Sequence, residues 1–545
     1  MRALSSVLRK QLETSVLAAR RAAESASRAG VESLAVFADR RPEHLDEDQT
    51  ALRNGLRAKW RQLGGDRNLL VAECAYEQWH RLLFARFLAE NSLLLHPQYK
   101  APVTLADCEE LAAELGEPDA WSVAARFAAE ILPGIFRLDD PCVRLRLAPE
   151  GRDALERILD ALPAETFAAD DALGWVYQFW QKDKKDEVNA SERKIGGADL
   201  GPVTQLFTEN YMVRFLLENS LGAWWAARHP DSPLIRDFYY LRLDDDASPA
   251  AGSFDGWPDR VAEVTVMDPC CGSGHFLVET FSMLWQMRAE EERLAAVDAQ
   301  DAVLRDNLFG LELDPRCVQI AMFAVALQAW KAGGGWRQLP VPNIACSGIP
   351  VKAPVREWKA LAGGDERLEN ALVRMHILFR DADTFGSLID PEQTGGSARL
   401  QSSLDDVAWS DLLRITQRAV RGEATHDPAT QVLGSDAIGV VRAMTLLARD
   451  YVLVATNPPF LGRGSQSEVL RSHCLTYYAA AEPELANVMA ERWKRACTTA
   501  VVLPHGWLFM SSFQRLREQV LGERAWLMLA RPLCQRHVRQ LPPLD

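Results

Sequence analysis

Val264-Thr-Val-Met-Asp-Pro-Cys-Cys-Gly-Ser-Gly-His-Phe276 is the stretch on which the reading of this 545-residue chain turns. A short apolar run with β-branched residues ends at Asp268, and Gly272 and Gly274 follow. Phe276-Leu-Val-Glu-Thr-Phe-Ser-Met-Leu-Trp285 then carries helical spacing. Strand, tight glycine turn and helix form the entrance of a doubly wound α/β domain, where ligands sit at the carboxyl ends of strands. The glycines put no Cβ between the backbone and whatever lies on the turn. The spacing Asp-x-x-x-Gly-x-Gly departs from the Gly-x-Gly-x-x-Gly of dinucleotide loops, and no Lys-Ser/Thr follows it. A phosphate cradle is therefore disfavoured.

A ligand with an amino-acid end and no phosphate suits such a loop, and S-adenosylmethionine has that chemistry. The residues resemble motif I of the S-adenosylmethionine-dependent methyltransferases, and the form Asp-Pro-x-x-Gly-Ser-Gly-x-Phe resembles the DNA adenine-N6 branch. The resemblance implies cofactor contacts from Asp268, Pro269, Gly272, Gly274 and Phe276. It also implies a Rossmann-like class I methyltransferase domain, with a mostly parallel doubly wound sheet.

Size and composition set the bounds. At 60.8 kDa two or three domains are expected, and 48% hydrophobic with 25% charged residues is ordinary globular composition. Ten scattered cysteines without Cys-x-x-Cys or His-x-x-x-His spacing argue against a structural metal, and unpaired thiols fit a reducing cytoplasm. The longest apolar run, Cys317 to Trp330, is too short and interrupted to span a bilayer and is expected as a buried helix. Leu4, Leu8, Leu12 and Val16 make one helical stripe, so the N-terminus is expected to pack rather than to act as a targeting peptide. A net charge of −14 weighs against tight non-specific DNA binding, although a local basic cleft is compatible with it.

Residues 1–195 are expected to form an all-α N-terminal domain, with Tyr76, Trp79, Leu83 and Phe87 on one helix face. Glycines in Ile195-Gly-Gly-Ala-Asp-Leu-Gly-Pro202 mark the boundary to a methyltransferase domain over 196–530. Thr204-Gln-Leu-Phe-Thr208 before a helix resembles motif X of adenine methyltransferases, which implies that Phe207 and Thr208 line the methionine end of the cofactor. A plain helix N-cap is the alternative role for Thr208. Together with Gly174-Trp-x-Tyr-Gln-Phe and Ala75-Tyr-x-x-Trp-x-Arg, it resembles the large methyltransferases of BREX and DISARM phage defence and of type II restriction–modification.

After motif I, Asn307-Leu-Phe-Gly-Leu-Glu-Leu-Asp314 is a short strand ending in an acid. Vicinal ribose hydroxyls want a carboxylate acceptor, so Glu312 is the expected ribose ligand and Asp314 the cap of the next helix. The carboxylate that holds the cofactor's adenine is missing from Pro342 to Gly348; Asp381 and Asp383 are the alternatives, with Asp383 preferred. A helical insertion is expected over about 395–450.

Tyr451-Val-Leu-Val-Ala-Thr-Asn-Pro-Pro-Phe460 matches motif IV of amino-group methyltransferases. The exocyclic nitrogen of adenine is a poor nucleophile, its lone pair being delocalised into the ring. Asn457 and the Pro458 carbonyl are expected to accept its N–H groups, with Pro459 fixing the turn and Phe460 stacking on the flipped base. Farther on, Val501 to Arg517 is expected as buried strand, turn and helix, with Trp507 and Phe509 in the sheet core. The tail 531–545 has neither period, and a target-recognition domain is expected to be absent.

The resemblance implies a site-specific adenine DNA methyltransferase acting on duplex DNA with the adenine flipped out, with separate specificity or defence-system subunits as candidate partners, and without a membrane. An inactive cofactor-binding subunit, or a methyltransferase of RNA or protein, are the rival readings.

Overall fold

The computed structural model describes residues 3–136, 140–205, 208–360, 362, 364, 366–392 and 428–530. Five short strands make its only sheet among these residues: β1 (Val266–Asp268), β2 (Leu308–Glu312), β3 (Asn343–Cys346), β4 (Leu453–Thr456) and β5 (Thr498–Val501). Their spatial order is β3-β2-β1-β4-β5, and all four neighbouring pairs are parallel. Strand order therefore reverses between β1 and β4, which pair in register from Val266 opposite Leu453. A crevice outside the carboxyl ends of such a pair is where doubly wound sheets bind ligands.

Both faces of the sheet are covered, as parallel strands require. Val266, Leu308, Ile344 and Leu453 pack under the helices His275–Glu292 and Pro315–Ala332, against Phe281, Leu284 and Val325. Their neighbours Met267, Phe309, Ala345 and Val454 face the other side, against Leu372, Met375, Val440 and Met444. Two of those come from Pro428–Leu447, so this helix, expected as part of an insertion, covers the sheet. The remainder of that expected insertion, from about 395 to 427, lies outside the described residues, as do Phe207 and the tail 531–545.

The N-terminal region is helical, as its patterning indicates. Ser5 caps Ser6–Ser33 by accepting from the Leu8 amide at 3.2 Å, and Leu12 and Val16 are buried beneath that helix. Tyr76, Trp79, Leu83 and Phe87 are all buried on Arg67–Glu90. This helical layer is fused to the sheet's own covering layer. Phe84 stacks on Phe323 of Pro315–Ala332 with ring centroids 4.3 Å apart and planes 4° from parallel. The run Cys317–Trp330 is thus a buried helix, and no described helix is long and apolar enough to cross a membrane.

One expectation fails at the far edge. β5 is only half-buried, because as the last strand it lacks a neighbour on one side. Trp507 is buried beside it in a separate cluster, but Phe509 is 63% exposed. The residues between them form a short 3-10 turn (His505–Leu508), which carries Phe509 off the sheet.

Phe323→Ala removes one ring of the stack that joins the two layers. It is expected to destabilise the chain by roughly 3–5 kcal/mol in urea denaturation. Wild-type stability would show that the layers do not depend on this contact.

Candidate active site at the ends of the first and fourth strands

The turn leaving β1 uses its two glycines differently. Gly272 sits at φ +53°, with open space where a Cβ would stand. Gly274 sits at φ +91°, and a Cβ there would lie 3.0 Å from Ala321 Cα. Gly272 therefore keeps the pocket floor bare, while Gly274 lets the turn lie against Pro315–Ala332. Gly274 does not line the pocket.

Two carboxyl groups stand above this turn, Asp268 buried and Glu312 half-buried. Glu312 is held at the end of β2 by three amides: Gly272 N–H at 2.8 Å, Leu313 N–H at 2.8 Å and Asp314 N–H at 3.2 Å. Asp268, at the end of β1, accepts from the Cys270 amide at 3.1 Å. Burial pushes both carboxyls up to about 7, against the pull of these amides and, at Asp268, of the Thr456 hydroxyl. Neither has an ion-pair partner among the described residues. Asp314 contrasts with them: burial opposes its charge, but Arg316 binds both its oxygens, at 2.8 and 2.7 Å, and holds it below the usual carboxylate range. Asp314 also caps Pro315–Ala332, accepting from Arg316 N at 2.9 Å, as expected.

Asn457 follows β4, directly across the switch point from the glycine turn. Its side-chain Nδ2 donates to Thr208 Oγ1 at 3.0 Å. Its Oδ1 is buried on the pocket lining with no hydrogen-bond partner among the described residues. Thr208 thus fixes the amide and leaves the acceptor end free. It does not cap the next helix; Glu209 holds that position without a side-chain bond.

All of this surrounds one pocket of about 1070 Å³, open to solvent. The structure brings together Thr208, Asp268, Pro269, Gly272, Phe276, Glu312, Asn457, Pro458 and Pro459 on its wall. Three expected residues lie elsewhere or off that wall. Phe460 is half-buried and outside the lining. Asp383 faces Lys352 Nζ at 3.7 Å, and it is the following residues, Thr384 to Leu388, that line the pocket. Gly274 packs as described above.

Other wall residues were not expected from the sequence. Ser387 Oγ donates to the Pro269 carbonyl at 2.6 Å and ties that wall to the glycine turn. Tyr177 and Gln178 come from the N-terminal helix Ala172–Ala190, and the signal for them was the stretch Gly174-Trp-x-Tyr-Gln-Phe. Among the described residues the wall carries Asp268, Glu312 and Asp314 but no Lys or Arg. That chemistry suits a ligand bearing positive charge and repels a phosphate.

The raised carboxyls set a pH dependence. Unfolded Asp268 ionises near the ordinary value of about 4, the folded one near 7, so its contribution to stability falls as pH rises between them. Asp268→Asn escapes this. Its stability relative to wild type is expected to grow by on the order of 2 kcal/mol from pH 5 to pH 8 in urea titrations. A difference independent of pH would contradict a buried, ionisable Asp268.

Against known proteins, the family model described as the DNA-methyltransferase domain of MmeI matches residues 247–341, which include β1, its glycine turn and β2. The adenine-specific methyltransferase PglX of Lacticaseibacillus casei (strain Zhang) is 25% identical over 505 residues, covering 83% of this chain and 41% of that protein. The adenine-specific methyltransferase BrxX of Escherichia coli O9:H4 (strain HS) is 26% identical over 525 residues, covering 85% and 42%. The chain thus spans about two fifths of the length of these relatives. Among solved structures, the type IIL restriction-modification enzyme MmeI in complex with DNA has 15% identity and a TM-score of 0.36, covering 83% of this chain and 49% of that one. Over most of its length, this chain resembles the adenine-specific methyltransferases PglX and BrxX.

Proposed function

We propose that the chain carries the methyl-transfer site of a DNA adenine-N6 methyltransferase that uses S-adenosylmethionine, within a restriction–modification or phage-defence system. One observation carries the reading: a buried acceptor without a partner among the described residues, Asn457 Oδ1, belongs to a residue that shares a pocket with the glycine turn after β1. The resemblance to adenine-specific methyltransferases supports it.

The residues present fit that cofactor. It bears positive charge and no phosphate; among the described residues the wall carries three carboxyl groups and no Lys or Arg, and burial pushes its one imidazole, His275, down to about 4. Asp268 and Glu312 balance that charge, and Glu312 keeps lone pairs for ribose hydroxyls after accepting from three amides. When bound, the cofactor supplies an electrophilic methyl group on sulfur. The chain's task is then to present a nitrogen lone pair. Asn457 Oδ1 and the Pro458 carbonyl each accept one N–H of the adenine amino group, drawing its nitrogen out of conjugation with the ring. Thr208 holds the Asn457 amide so that the oxygen faces the substrate, which is orientation set before the base arrives. Pro458 and Pro459 cannot join a neighbouring strand, so the turn stays open. The base is taken as flipped from duplex DNA at a cost of a few kcal/mol; Phe460, outside the described lining but next to Pro459, is proposed to turn in and stack on it, offsetting of order 1–3 kcal/mol. With a net charge of −14, a more basic specificity or defence-system polypeptide is proposed to supply sequence reading.

Two variants test the transfer site. Asn457→Ala is expected to lower transfer to DNA by about 10³-fold or more while cofactor affinity stays within a few-fold. Thr208→Val, which frees the amide, is expected to lower kcat by roughly 10–100-fold. Asn457→Ala working at the full rate would remove Asn457 from the reaction; Thr208→Val at the full rate would remove only its orienting role.

A further inference from the structure

Asn457 is one of three side-chain amide oxygens buried on the pocket wall with no hydrogen-bond partner among the described residues. The others are Gln178 Oε1 and Gln205 Oε1, and the transfer site uses neither. A buried acceptor left unpaired is costly. Two of them on residues that line one pocket point to a ligand that brings N–H groups.

Gln205 itself, and for Gln178 its neighbour Tyr177, make a contact to the loop and helix that follow Glu312. Tyr177 donates its hydroxyl to Asp314 Oδ2, and Gln181 Nε2 donates to the Tyr177 hydroxyl at 3.0 Å. This pins the helix Ala172–Ala190 against the end of β2, with Gln178 next in sequence on the pocket wall. Gln205 Nε2 rests on Cys317 Sγ at 3.7 Å, leaving its oxygen as the free end.

S-adenosylmethionine offers N–H groups at two places, the α-ammonium and the amino group of its adenine. They lie on opposite sides of the ribose, and Glu312 is the ribose acceptor. The α-ammonium is joined to the sulfur by a short carbon chain, so it must lie on the side where the methyl group leaves. Gln205 stands three residues before Thr208, whose hydroxyl holds Asn457 at that side. We infer that Gln178, together with Gln205, receives the α-ammonium of the cofactor's amino-acid end. The inference rests on the cofactor reading above. It makes the N-terminal helical region part of the cofactor site and gives the Gly174–Phe179 stretch a binding role.

Calorimetric titration of the full chain tests this with two ligands. S-adenosylhomocysteine has the amino-acid end; 5′-methylthioadenosine has the same nucleoside without it. Gln178→Met keeps the side chain's bulk and removes the acceptor. It is expected to weaken S-adenosylhomocysteine roughly tenfold, the size of one hydrogen bond to a charged group, and to leave 5′-methylthioadenosine within about twofold. Retained binding of the second ligand also shows that the variant's pocket is folded. Unchanged affinity for S-adenosylhomocysteine, or equal weakening of both ligands, overturns the assignment. A wild-type chain that binds neither ligand overturns the cofactor reading itself and takes this inference with it.

Discussion

Parallel pairing of β1 with β4 is the constraint on which the site depends. The two strands are far apart in sequence, and their register sets Asp268 and Asn457 at neighbouring strand ends. Because strand order reverses there, no helix crosses between the two ends, and the crevice stays open. The sheet is buried on both faces by side chains that alternate along each strand, so a register slip would misplace core and site together.

The pocket built on that pairing is electrostatically unsatisfied in a consistent way. Two carboxyls, one buried and one half-buried, lack cations, and three buried amide oxygens lack donors, all among the described residues and all on one wall. Other buried charges of the chain are paired. Arg316 answers Asp314 with two hydrogen bonds, and Arg288 is held by Glu292, Asp306 and Asn307. Unpartnered polar atoms occur elsewhere in the described chain too, but on this wall a ligand could complete them. The acidic wall also separates this pocket from phosphate-binding relatives of the same architecture.

Much of this was legible from local pattern. The glycine turn, the strand ending in Glu312 and the Asn-Pro-Pro-Phe turn each carry their own signal within about ten residues. The helical N-terminus was legible from its stripes. What the sequence hid depends on contacts between distant segments. Thr208 meets Asn457 across 249 positions, and Tyr177 meets Asp314 across 137. Nothing local distinguishes Gly272, facing open space, from Gly274, pressed on Ala321. Asp383 carried the right chemistry, but Lys352 lies on its side of the turn, and its neighbours line the pocket instead. Phe509 was misplaced because an edge strand and a 3-10 turn expose what a central strand would bury.

The central claim is that a methyl group passes between these two strand ends to the amino group of adenine in DNA. Its most direct test incubates the purified chain with cofactor carrying a deuterated methyl group and bacterial genomic DNA, RNA and protein, then analyses the hydrolysed products by mass spectrometry. The expected result is deuterated N6-methyladenine from DNA alone. Label in RNA, in protein or on cytosine, or a chain that binds the cofactor yet labels nothing, would contradict it.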